Sequence, residues 1–216
     1  MTTKERTIIV GGGGFGRELI FFIGQTVAAG RLPPLGGYLD DAGDVFAQFD
    51  YPEAPWLGTI EDFVPGPGDN LVLAIGSPKG KRAIHGKLSV RGGRFPQMIH
   101  PGATIVRTAR LGEGVIFCPG TLAGADTRID RFVVFNGSSG IGHDSTVGEF
   151  TTIASSVDIT GNVTIGKDVS IGSNAAFTPG VTIGDGATVG LGSVVYRSVP
   201  PGATVYAAPA KRLRIK

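Results

Sequence analysis

Of the three histidines in this 216-residue chain, only His143 is followed by a carboxylate, in the run Gly142-His143-Asp144-Ser145. An imidazole beside a carboxylate can be held in one orientation with a ring nitrogen free to take a proton, which suits a general base near neutral pH. His85 falls in a stretch that reads as a helix and is expected at its surface. His100 precedes Pro101 and is expected to be structural. The single cysteine, Cys118, directly follows Phe117 and also reads as structural. One cysteine leaves no internal disulfide and is compatible with a reducing compartment.

A second constellation lies near the start. Gly11, Gly13 and Gly16 form G-x-G-x-x-G between an apolar run at 7–10 and a helical pattern from Arg17 to about Thr26. That context is the one a dinucleotide fingerprint requires, with backbone N–H groups at the helix start suited to a diphosphate. Asp40 follows Gly16 by 24 residues, where a ribose-binding acid would stand. A glycine-rich turn that merely permits close packing is the alternative. A full dinucleotide site needs a second mononucleotide half, and the residues before about 96 hold only one. The nucleotide is therefore expected to carry something other than nicotinamide.

The elements that must position these groups divide the chain in two. Strand-like runs at 7–10, 37–40 and 71–76 alternate with helical patterns, the second at about 79–90, and residues 56–63 read as a connection into a short helix. Such alternation argues a small Rossmann-like parallel α/β domain over residues 1–96. From Ile105 to Val195 the grammar changes: every sixth residue is apolar or alanine, over sixteen consecutive positions. Two residues before each stands a small or β-branched residue, so both can face inward along one strand. Glycine often comes next (Gly112, Gly142, Gly148, Gly166), as expected of a tight corner. A period of six fits neither a helix nor a meander; it marks a parallel β-helix over residues 97–216, with roughly five coils. His143, two residues past Ile141, then belongs to a corner of the coil and not to its core.

Composition narrows the class. A formal net charge of +2 is too small to imply nucleic acid or a membrane surface. The basic end (Lys211, Arg212, Arg214, Lys216) reads as a solvated terminus. No apolar run approaches the ~18 residues of a membrane span, and the first residues lack a signal-peptide core. A cytoplasmic location is expected.

With these residues in hand, the chain resembles the bacterial sugar O-acyltransferase family of the hexapeptide-repeat superfamily. That family includes sialic acid O-acetyltransferases and N-acetyltransferases of nucleotide-linked 4-amino-6-deoxy sugars. The resemblance rests on the opening Ile9-Val10-Gly11-Gly12-Gly13-Gly14-Phe15-Gly16-Arg17-Glu18, on Leu39-Asp40-Asp41 and on Ala74-Ile75-Gly76-Ser77. It continues through Ile99-His100-Pro101, Asn136-Gly137-Ser138-Ser139, His143-Asp144, Gly161-Asn162 and Val199-Pro200-Pro201-Gly202.

The resemblance implies a left-handed β-helix assembled as a homotrimer, with acetyl-CoA in the groove between prisms and no metal. It implies direct transfer of an acetyl group to the amino group of a nucleotide-linked amino-deoxy sugar. His143 would be the general base, Asp144 would orient it and raise its basicity, and the Gly161 N–H would stabilise the oxyanion. Gly13, Gly14, Phe15, Asp40, Asp41 and Gly76 are implied as nucleotide-sugar contacts, with Asn136 touching substrate near His143. Thr152, Ser173 and Leu191 align with coenzyme A contacts. Family members typically carry histidine where this chain has Phe15, so a polar contact is missing here: either the substrate differs or the diphosphate is held by backbone N–H groups alone.

Other readings remain: O-acetylation of sialic acid or another sugar hydroxyl, and a non-catalytic trimer that senses a nucleotide. A hexapeptide-repeat carbonic anhydrase would need three converging histidines, and the repeats past His100 contain only His143. A nicotinamide oxidoreductase is disfavoured by the half-sized nucleotide module.

Overall fold

The computed structural model describes residues 4–211; Arg212, Arg214 and Lys216 of the basic end lie outside the described residues. In the first part, β1 (Arg6–Val10) is the middle strand of a three-stranded parallel sheet of order β2-β1-β3, with β2 at Leu35–Leu39 and β3 at Asp69–Leu73. Its apolar run is unbroken because both sides are covered. Ile9 packs with Leu19, Ile20 and Ile23 of α1 (Gly14–Ala28), while Ile8 and Val10 pack with Leu88 of α2 (Pro78–Ser89). The second helix starts where a serine cap and an N1 proline favour it: the Ser77 hydroxyl accepts from Gly80 N–H at 3.3 Å.

Residues 56–63 form no helix. Trp56 instead pairs with Tyr38 as an isolated parallel bridge, and the carboxylate of Asp41 draws in the N–H groups of Ile60 and Glu61 (2.7 and 3.1 Å). A side-chain acceptor at that point outbids the i→i+4 pattern that the apolar spacing suggested.

The second part is a left-handed parallel β-helix of eighteen two-residue strands, β4 (Met98–Ile99) to β21 (Thr204–Val205). They stack into three faces of seven, six and five strands, here called I, II and III. Partners lie 18 residues apart, as in Val134↔Thr152 on face I and Gly140↔Asp158 on face II. The repeat makes about six turns, not five, because Ile99 opens it one hexad before Ile105 and a shortened last turn closes it. There Ile183 pairs with Val199 and Val189 with Val205, each two residues short of the usual spacing.

The corner glycines have a different reason from the one expected. Gly142 does not take a left-handed φ; an added Cβ would lie 2.7 Å from Gly161 N in the next coil, so it permits close stacking. The left-handed residue comes two positions later and usually carries a side chain, as in Phe132, Asp144 and Phe150 (φ +58°, +58° and +61°).

The two parts meet along face I and the corner between faces III and I. Met98, Ile116 and Val134 point out of face I into the α1 cluster. At the corner, Phe132 and Phe150 stack on each other (5.0 Å, 12°) and join the core that contains Leu88 and Phe95. A left-handed φ costs such a residue ~1–2 kcal/mol; burying its ring returns ~1.5–3 kcal/mol. His85 is therefore half-buried and not fully at the surface. Its ring packs 4.3 Å from Phe132 within this aromatic seam, and desolvation lowers its pKa. His100 is buried, bonded to Gln25 and edge-on to Phe22, a structural placement.

Candidate active site

The left-handed turn at Asp144 brings its carboxylate beside the preceding imidazole. His143 Nδ1 and Asp144 Oδ2 are 2.7 Å apart, and the His143 side chain is 63% exposed at the corner between faces II and III. With Nδ1 held, Nε2 has no hydrogen-bond partner among the described residues. The ring lies over the next coil, where Gly161 makes room: a Cβ there would sit 2.7 Å from both Cε1 and Nε2 of His143. The Asn162 N–H donates to the His143 carbonyl, while the Gly161 N–H has no acceptor among the described residues. One corner thus offers a proton acceptor, a carboxylate behind it and an unused N–H donor.

The glycine loop lies apart from this corner. Gly13 caps α1 with no side-chain hydrogen bond, and no acid stands in the first turn. The N–H groups at Gly14, Phe15 and Gly16 have no helical acceptor, an arrangement that attracts anions. Gly13, Gly14 and Gly76 are exposed. Gly16 serves packing, since a Cβ would fall 2.2 Å from Gly11 O. Phe15 is half-buried against the α1 cluster and anchors the first turn. Both acids are engaged by backbone. Asp40 accepts from Gly12 N–H (2.7 Å) and Ala42 N–H (2.8 Å), tying the loop to the end of β2, while Asp41 holds the Ile60 turn.

The remaining expected residues do not converge on His143 within one chain. Asn136 stands at the corner between faces I and II, a whole face before His143, with Oδ1 3.9 Å from Cys118 Sγ. Burial pushes that thiol up to about 12. Ser173 and Leu191 stack one coil apart on the same I/II corner, and Leu191 is 68% exposed. Thr152 points out of face I, where its hydroxyl donates to the Gly76 carbonyl at 2.8 Å.

The loop at Gly76 therefore sits on face I, and His143 occupies the corner opposite that face. Three further side chains stand at the glycine loop without a role assigned from sequence. The Arg17 guanidinium lies 4.1 Å over Phe49 near Gly14, and the exposed Trp56 donates from Nε1 to Asp40 O at 3.3 Å. Arg17, in the first turn behind the glycines, was a signal; Phe49 and Trp56 depend on an irregular segment with no period. Among the described residues no three His, Cys, Asp or Glu side chains gather as a metal site, and no helix is long and apolar enough to cross a membrane.

Residues 162–197 match the family model for the bacterial transferase hexapeptide (six repeats). Among solved structures, the chain is similar to the acetyltransferase domain of PglB from Neisseria gonorrhoeae FA1090. The identity is 26% and the TM-score 0.84, over 97% of this chain and 100% of that one. The same domain is known in complex with acetyl coenzyme A. PerB from Caulobacter crescentus, solved with CoA and GDP-perosamine, is similar at 27% identity and TM-score 0.82, covering 97% of each chain. WeeI from Acinetobacter baumannii AYE is similar at 26% identity and TM-score 0.84, over 97% of this chain and 100% of that one. A search of the curated proteins gives no match. The similarity spans both the α/β part and the β-helix.

Proposed function

We propose that this acyl-CoA-dependent sugar acetyltransferase of the hexapeptide-repeat superfamily acetylates the amino group of a nucleotide-linked amino-deoxy sugar. The observation that carries the reading is the His143–Asp144 pair, seated over Gly161 on an exposed corner. The likeness to an enzyme solved with CoA and GDP-perosamine supports the acceptor class.

In the reaction, the sugar amine attacks the thioester carbonyl while His143 Nε2 takes the proton that the nitrogen loses. Asp144 holds the ring and stabilises the imidazolium that forms. The Gly161 N–H meets the oxyanion. The C–S bond then breaks, and the imidazolium returns its proton to the departing thiolate. Ordered binding supplies proximity, so no acyl-enzyme is needed.

The glycine loop, Asp40 and Gly76 form the acceptor side, with Gly13, Gly14 and Phe15 N–H groups on the diphosphate. Ser173 and Leu191 line the acetyl-CoA side; Thr152 joins the two parts of the chain. The acceptor loop and His143 lie on opposite sides of one prism, which supports a homotrimer whose sites draw on two copies. The reaction belongs in the cytoplasm, where acetyl-CoA is held.

Thiol release from acetyl-CoA, measured across nucleotide-linked amino sugars and free sialic acid, tests the reading. On the best acceptor, His143→Ala is expected to cut kcat by about 10²–10⁴-fold. Full activity in His143→Ala would rule out the mechanism. Turnover of sialic acid alone would make this an O-acetyltransferase. A nucleotide-dependent rise in melting temperature with no turnover would favour the sensor.

A further inference from the structure

The first turn of α2 carries a lysine that the reaction does not use. Lys81 is 1% exposed, and its Nζ donates to the carbonyls of Phe132 (2.9 Å) and Thr151 (3.0 Å) on the β-helix. Beside it, Arg82 clasps both oxygens of Asp168 (3.0 and 2.8 Å), reaches Glu149 at 3.0 Å and lies 4.2 Å over the Phe150 ring. Two consecutive side chains thus grip three successive coils at the III/I corner.

Five residues upstream, Gly76 is itself tied to face I through Thr152, and Ser77 caps the helix. The aromatic seam alone would hold the two parts together but would allow sliding, because apolar contact has no preferred direction. Burial pushes the lysine down to about 7 against the opposing charge of Asp168, so the group is costly where it stands. An apolar side chain of similar length is often as stable in such a place. Lysine adds direction.

We propose that Lys81, with Arg82, is a positioning residue for the acceptor: by fixing α2 to the β-helix it sets the Gly76–Ser77 loop at the height where the sugar can reach a catalytic corner. The kinetic part of this rests on the function proposed above; the structural part does not.

The full chain with Lys81→Met is compared with wild type. Arg82→Gln is the second variant; it leaves the buried packing intact should the first fold poorly. Amide exchange over residues 74–82 is expected to quicken by about tenfold or more, with the β-helix strands unchanged. The KM for the nucleotide-linked sugar is expected to rise about fivefold or more while that for acetyl-CoA stays put. The thermal midpoint of Lys81→Met holds or rises, since Thr151 O keeps its bond from Val134 N–H and only Phe132 O loses a partner.

A lower midpoint with both KM values unchanged would make Lys81 a simple stabilising contact and overturn the proposal. If the wild type transfers no acetyl group, the proposed function fails. Exchange still decides the positioning role, and unchanged protection over 74–82 would sink it.

Discussion

At position 161 a methyl group would lie 2.7 Å from both Cε1 and Nε2 of His143, although the backbone itself would accept alanine without a left-handed penalty. Gly161→Ala should therefore fold normally but tilt the imidazole off its corner. A displacement near 1 Å costs about 10²-fold in rate, so kcat should fall by one to two orders of magnitude at an unchanged melting temperature. An unaltered kcat would mean that the ring position is irrelevant.

Lys81 makes a second prediction at this scale. Its folded value of about 7 lies well below the unfolded lysine value of about 10.4. Between the two, the unfolded chain binds more protons, so stability rises with pH. Asp168 acts on this group from the β-helix, and Arg82, paired with Asp168 and Glu149, lies beside it on α2 with His85 one turn further on. Because these remain in Lys81→Met, the difference between proteins isolates the lysine. Relative to the variant, wild type should gain stability from about pH 7 to 10 and show no trend below 7. Parallel denaturation midpoints across that range would refute the burial cost.

Among the elements, α1 offers the cleanest test of the proposed acceptor site. Gly13 has φ −68° and ψ −171°, an N-cap geometry, and a Cβ there meets nothing within 4 Å. Gly13→Asp should stabilise the helix by a few tenths of a kcal/mol as a better cap. The same carboxylate would occupy the free N–H groups and repel a diphosphate. Expected results are a slightly higher melting temperature and a raised KM for the nucleotide-linked sugar, with the KM for acetyl-CoA unmoved. An unchanged acceptor KM would remove the diphosphate from the α1 start.

The elements also show where periodicity stops informing. The inward columns of the β-helix were legible because burial repeats with the chain. The turn at 56–63 was not, since Asp41 reaches it from 19 residues away. Nor was the seam at His85: a half-buried histidine on a polar helix looks the same in sequence whether it meets water or phenylalanine.

The whole molecule poses the question of assembly. The α/β part covers face I, while large apolar groups on face II remain open, with Leu122 at 41% and Val194 at 54% exposed. If each active site takes its loop from one copy and its histidine from the next, His143→Ala and Gly13→Asp chains should complement each other. Random mixing in a cyclic trimer would restore about a quarter of the sites. Each variant alone stays impaired. Absence of rescue, or a monomeric mass in solution, would end the shared-site reading.

By itself the sequence determined the six-residue winding, the glycine turn between strand and helix, and the pairing of His143 with Asp144. All three are local: neighbouring residues and a short period specify them. Only the tertiary structure decided that the α/β part lies on face I, that Thr152, Lys81 and Arg82 fasten it there, and that His143 stands on the corner opposite that face. The repeat specifies which side chains point inward identically on all three faces, so it cannot say which face is covered. That choice belongs to the outward residues, Met98, Ile116 and Val134 against α1, whose partners lie far away in the chain.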